Sequence, residues 1–146
     1  MPDECRLTVP GRLDQLIIIS EFIAQAARQA GLDERTVFHV QMAVDEACTN
    51  VIQHAYQGIE DGEITLACRR TDDTFVITIQ DHGRPFDPTT VPPPDLGADL
   101  DVRRLGGLGL YFMHRLMDEV HFEFNAETGN TVTMIKRIAP QSQDDR

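Results

Sequence analysis

Val37, Val40, Val44, Ala47, Cys48, Val51 and Ala55 recur three or four residues apart, and at that spacing they fall on one narrow stripe. The pattern predicts a long amphipathic helix, opened by Asp33 with Thr36, running to about Tyr56 and stopped at Gly58. Such a helix gains little from its own hydrogen bonds in water and must lay its stripe on another layer. The rest of the chain offers that layer as strands. Residues 5–10 alternate and end at Pro10-Gly11. Residues 63–70 and 74–80 read as a hairpin turned at Thr71-Asp72-Asp73, and residues 120–124 and 131–138 as a second pair turned at Thr128-Gly129-Asn130.

Two further helices complete the pattern. In the first, Leu13, Leu16, Ile17, Ser20, Ala24 and Ala27 form a stripe and Gly31 is the stop. Ile18, Ile19 and Phe22 project to its other side, so that helix is either buried on two sides or meets a partner. The third follows Gly109 and carries Leu110, Met113, Leu116 and Met117. The order β, α, α, β, β, long loop, α, β, β predicts an α+β fold: a two-layer α/β sandwich with a mixed, mostly antiparallel sheet and helices on one face. Residues 87–105 break every periodicity, with Pro88, Pro92, Pro93, Pro94 and Gly97 among several aspartates. A loop this long inside a compact domain is uncommon unless it has a function or is disordered.

At 146 residues the chain fits one domain, expected over 1–140, with a polar tail at 141–146. Its net charge of -11 argues against direct binding to nucleic acid, which needs clustered Lys and Arg. Cys5, Cys48 and Cys68 are odd in number and lack metal-site spacing, which points to a reducing cytoplasm rather than a disulfide framework. No stretch approaches the roughly 18 apolar residues of a membrane span, and the amino terminus has no signal-peptide pattern.

Three short segments carry candidate chemistry. Glu46 and Asn50 lie one helical turn apart, about 6 Å along the axis, on the side of the helix opposite its apolar stripe. A neutral amide oxygen is a hard ligand for Mg²⁺, and a carboxylate beside it can accept a hydroxyl proton. Asp81-His82-Gly83-Arg84-Pro85-Phe86 follows an apolar strand, where Asp81 can accept from an exocyclic amine and Gly83 lets a base plane approach the backbone. Gly106-Gly107-Leu108-Gly109-Leu110 precedes a helix and offers free N–H groups to phosphates. Taken singly, each has a plainer reading: a solvated polar face, a strand-ending turn, a flexible connection. Cys48 projects near the stripe and reads as a small buried hydrophobe, and His54 as a structural hydrogen-bonder more than a phosphate contact. The glycine box lacks the Gly-Lys-Ser/Thr of a Walker A loop.

In this order, over nearly the whole chain, the three boxes resemble the ATP site of the GHKL superfamily, and within it the bacterial anti-sigma factor serine/threonine kinases; residues 107–120 look especially like that branch. The resemblance implies ATP and Mg²⁺ as cofactors, Glu46 as general base, Asn50 as Mg²⁺ ligand and Asp81 as reader of adenine, with Gly83 beside the base. It places Gly107, Leu108 and Gly109 at the phosphates under a lid spanning about 87–106. Arg104, with Arg103, stands slightly earlier than the arginine that family tends to carry, and either Thr131 or Thr133 would support the adenine edge. The implied partners are a small STAS-type antagonist protein, phosphorylated on serine or threonine, a sigma factor, and a second copy of the chain in a homodimer. The alternatives are a catalytically weak ATP-binding switch and a detached histidine-kinase catalytic module.

Overall fold

The structure is a computed structural model that describes residues 4–85 and 113–138. Among these residues, five strands form one sheet in the order β1-β2-β3-β5-β4: β1 (Cys5–Pro10), β2 (Glu63–Thr71), β3 (Thr74–Asp81), β4 (Glu119–Asn125) and β5 (Gly129–Arg137). Two helices, α1 (Leu16–Gln29) and α2 (Glu34–Asn50), lie between β1 and β2 in sequence, and residues 113–116 are helical. The α+β class is as expected. The sheet is not mixed, however: each of the four described pairings is antiparallel. Hairpins join β2 to β3 and β4 to β5, and antiparallel pairs can be joined by such tight turns without a crossover.

One face of this sheet makes the core. Along β3, Phe75, Ile77, Ile79 and Asp81 are buried, while the residues between them are half-exposed. Ile64, Leu66 and Cys68 of β2 and Val132 and Met134 of β5 are buried with them. All seven residues of the predicted α2 stripe are buried in the same cluster. Burying a Val, Leu, Ile or Phe side chain is worth roughly 1.5–3 kcal/mol, so this stripe decides which way α2 faces. Asp33 caps the helix from extended backbone, its side chain accepting from Thr36 N at 2.8 Å.

Two helix expectations need correction. The α-helical part of α2 ends at Asn50, and Val51–Ala55 form a π-turn in which Tyr56 N donates to Val51 O at 2.8 Å. The side chains still reach the core, but the wider turn re-aims the backbone at the end of the helix. In α1 the observed phase differs from the expected one. Ile19, 1 % exposed, is core together with Ile23, Ala24, Ala26 and Ala27, whereas Ile17 is 72 % exposed and Leu13 and Ile18 are exposed beside it. Phe22 packs against the core from its margin. Apolar residues fill every position from Leu16 to Ile19, so spacing alone leaves the phase open. Leu13 also sits in a 3₁₀ turn, Leu13–Gln15, whose tighter winding rotates it off the α-helical stripe.

Candidate nucleotide site

A cleft opens between the end of α2, the end of β3 and the first residues of β5. Its apolar wall is Ala47, Val51, Ala55, Met113, Phe122 and Val132; its polar groups are Asn50, His54, Asp81, Glu123, Asn130 and Thr131. An apolar slot with a few placed polar groups suits a flat heterocycle.

Asp81 is the last residue of β3 and only 2 % exposed, on the buried side of the strand. Its Oδ1 accepts from Gly83 N at 2.8 Å and from Asn130 Nδ2 at 2.8 Å. Among the described residues both bonds fall on this one oxygen, which leaves Oδ2 to accept from a ligand. A buried carboxylate is expensive unless hydrogen-bonded, so Asp81 is held there by these donors.

The segment after Asp81 is fixed by the π-turn. Ala55 O accepts from Arg84 N at 2.9 Å, and a Cβ on Gly83 would lie 2.4 Å from that same oxygen. Glycine at 83 is thus demanded by the close approach of two backbones. Tyr56 adds a second tie: its hydroxyl donates to Glu63 O at 2.5 Å and accepts from His82 N at 2.9 Å. Nothing in the periodicity signals this tyrosine, which reads in sequence only as the end of a helix. Asn130 is likewise hidden, because asparagine after Thr128-Gly129 looks like ordinary turn chemistry.

Of the predicted site residues, the structure brings Asn50, Asp81 and Thr131 together on the cleft. Thr133 instead lines an adjoining depression with His114, Val120 and His121, which shares Phe122 and Glu123 with the cleft. Glu46, one turn before Asn50 on α2, is half-buried, and Gly83 follows Asp81 at the cleft's edge. His54 is exposed and on the lining. Cys48 is fully buried, and burial pushes its thiol far above the usual range, which fits a small hydrophobe. Arg104, Gly107, Leu108, Gly109 and the expected lid lie outside the described residues. Among the described residues no cluster of three or more metal-ligating side chains occurs, and no helix is long and apolar enough to cross a membrane.

Comparison with known proteins extends this geometry. The family described as histidine kinase-like ATPase domain matches residues 9–136. A serine-protein kinase RsbW of Listeria monocytogenes is 33 % identical over 142 residues, covering 94 % of this chain and 89 % of the relative. A serine-protein kinase RsbW of Bacillus pumilus is 35 % identical over 148 residues, covering 97 % and 90 %. Among solved structures, the RsbU and RsbW domains of a Mycobacterium tuberculosis protein superpose with a TM-score of 0.67 at 17 % identity, covering 94 % of this chain and 33 % of that one. The catalytic domain of histidine kinase ThkA superposes with a TM-score of 0.55 at 13 % identity, over 93 % and 99 %. At those identities the two structures speak for the fold alone.

Proposed function

The chain belongs to the histidine kinase-like ATPase domain family, and we propose that it is an ATP-dependent serine/threonine protein kinase that acts as an anti-sigma regulatory factor. Its substrate in this reading is a small STAS-type antagonist protein, phosphorylated in a partner-switching system with a sigma factor. Similarity to serine-protein kinases along nearly the full length of both sequences supports the activity. The observation that carries the site is Asp81, a carboxylate 2 % exposed at the cleft, with Asn50 and Thr131 on the same lining.

The residues present fit the ligand. Asp81 Oδ2 accepts from the exocyclic amine of adenine, Thr131 supports the base edge, and Gly83 keeps the chain close beside it. The Asn50 amide oxygen is the hard donor that would hold Mg²⁺. Gly107, Leu108 and Gly109 contribute backbone N–H groups for the phosphates, with Arg104 as counter-charge. When bound, ATP with Mg²⁺ supplies the transferable phosphoryl group. The Glu46 carboxylate takes the proton from the attacking serine hydroxyl. A homodimer and a cytoplasmic location complete the reading; the exposed Leu13, Ile17 and Ile18 on α1 and the turn before it, and the three free thiols, support them.

The test is incubation of the chain with labelled ATP, Mg²⁺ and STAS-type proteins from the same genome. Label is expected on a serine or threonine of one of them. Glu46→Gln should keep its ATP affinity and lose about 10²–10⁴ in transfer rate, the usual worth of a general base. Undiminished transfer in Glu46→Gln would remove Glu46 from the mechanism. ATP binding without transfer to any protein would leave a nucleotide-dependent binding switch.

A further inference from the structure

Asp81 and Asn130 are register partners across β3 and β5. Gly129 allows their strands to meet so closely: it has φ +90°, and a Cβ there would lie 2.2 Å from the Asp81 carbonyl oxygen. Asn130 is 7 % exposed. Its Nδ2 donates to Asp81 Oδ1 at 2.8 Å and also faces Arg84 O at 3.0 Å and Gly83 O at 3.3 Å. Three acceptors around two amide hydrogens fix the orientation of the amide, since the opposite flip would set its oxygen against all three. The consequence is that Asn130 Oδ1 is buried and, among the described residues, without a partner. Unpaired buried acceptors are uncommon in folded proteins and call for a reason. Turn formation does not supply one, because a turn needs only the backbone at this position.

We propose that Asn130 is a positioning residue for base recognition: its Nδ2 holds Asp81 Oδ1 so that Oδ2 presents itself to the exocyclic amine of adenine. The proposal rests on the ATP-site reading above. With Gly83 N on one side and Asn130 Nδ2 on the other, the carboxylate cannot rotate without breaking one of two hydrogen bonds. The same amide ties in the carbonyls of residues 83 and 84, so the acceptor and the backbone beside the base move as one unit. An acceptor fixed before binding spares the ordering cost that a free one must bear.

Calorimetry on the full chain with ATP and with purine riboside triphosphate, which carries hydrogen in place of the amine, tests this. The wild type should prefer ATP. Asn130→Ala should bind ATP about tenfold more weakly, the effect of one hydrogen bond of ordinary net strength, and lose distinctly less affinity for the amine-free analogue, so that the preference for ATP shrinks. Equal weakening of both ligands would show a merely structural role and overturn the proposal. Should Asn130→Ala lose its far-UV circular dichroism, two measurements remain: Asn130→Ser, and the wild-type NMR signals of the Asn130 side-chain NH₂. Those signals should shift further with ATP than with the analogue, and equal shifts with both would overturn the proposal. If Asp81→Asn abolishes the preference for ATP while Asn130→Ala and Asn130→Ser retain it, the role of Asn130 falls and the ATP site stands. If the wild type shows no preference and Asp81→Asn changes nothing, both fall.

Discussion

Tyr56 joins three stretches of chain that are remote in sequence: the end of the π-turn, the start of β2 at Glu63 and the segment after Asp81. Gly11 and Gly62 pack so tightly on its ring that a Cβ on either would lie within 2.7 Å of ring carbons. Tyr56→Phe keeps that packing and removes only the hydroxyl, leaving His82 N and Glu63 O short of a partner. A loss of about 1–3 kcal/mol is expected. Burial, reinforced by the nearby Asp81 charge, holds the phenol above its ordinary 10.0. The hydroxyl's contribution is therefore complete below pH 10.0 and is lost as pH rises through the elevated folded-state value. Urea midpoints should show the gap between wild type and Tyr56→Phe narrowing in strong alkali; a gap that stays constant would mean the buried phenol is not what titrates. Asp81 is legible in the sequence because a carboxylate after an apolar strand is a local signal. Tyr56 and Asn130 are not, because their partners are 7 to 49 residues away and no spacing rule reaches that far.

Within the elements, α2 shows what periodicity settles and what it does not. A helix with polar residues between its apolar ones has one possible phase, and all seven predicted stripe positions are buried. The α1 sequence, apolar at nearly every position near its start, allows several phases, and packing against α2 chooses between them. Gln41 Nε2 donates to Ser20 O at 3.1 Å and to Ser20 Oγ at 3.0 Å, which pins that choice. Neither propensity nor pattern announces the π-turn at Val51–Ala55, whose Ala55 O accepts from Arg84 N, remote in sequence. The start of α2, by contrast, is local and testable. Hydrogen bonding to Thr36 holds the Asp33 carboxyl below its usual 3.8. The cap therefore stabilises the helix fully above that value and stops doing so as pH falls through the lowered one. Asp33→Ala should lower the denaturation midpoint at neutral pH and match the wild type in strong acid. If the two differ by the same amount at both extremes, the charge-assisted cap is not the source.

At the level of the whole molecule, the cleft is a product of topology. Asn50 closes α2, Asp81 closes β3 and Asn130 lies at the start of β5, and only the folded sheet order β1-β2-β3-β5-β4 sets these three ends side by side. One pocket is what the resemblance of the three boxes to an ATP site implies; Asn50 of the first and Asp81 of the second meet on one cleft, and the third lies outside the described residues. The cleft's apolar wall is not legible, because Val51, Met113 and Val132 read as ordinary core residues until the cleft is drawn. It follows that the unfolded chain has no site, so any nucleotide that binds must stabilise the fold by mass action. ATP at a hundred times its dissociation constant should add about 2.7 kcal/mol, raising the thermal midpoint in a concentration-dependent way. GTP carries a carbonyl where adenine has its amine, and that carbonyl would face the Asp81 carboxylate; it should give a far smaller rise. Asp81→Asn should abolish most of the ATP-dependent gain while leaving the ligand-free midpoint much less affected, because the asparagine oxygen can still accept from Gly83 N and Asn130 Nδ2. Differential scanning fluorimetry across an ATP series reads all three, and equal stabilisation by ATP and GTP in the wild type would count against adenine recognition at Asp81.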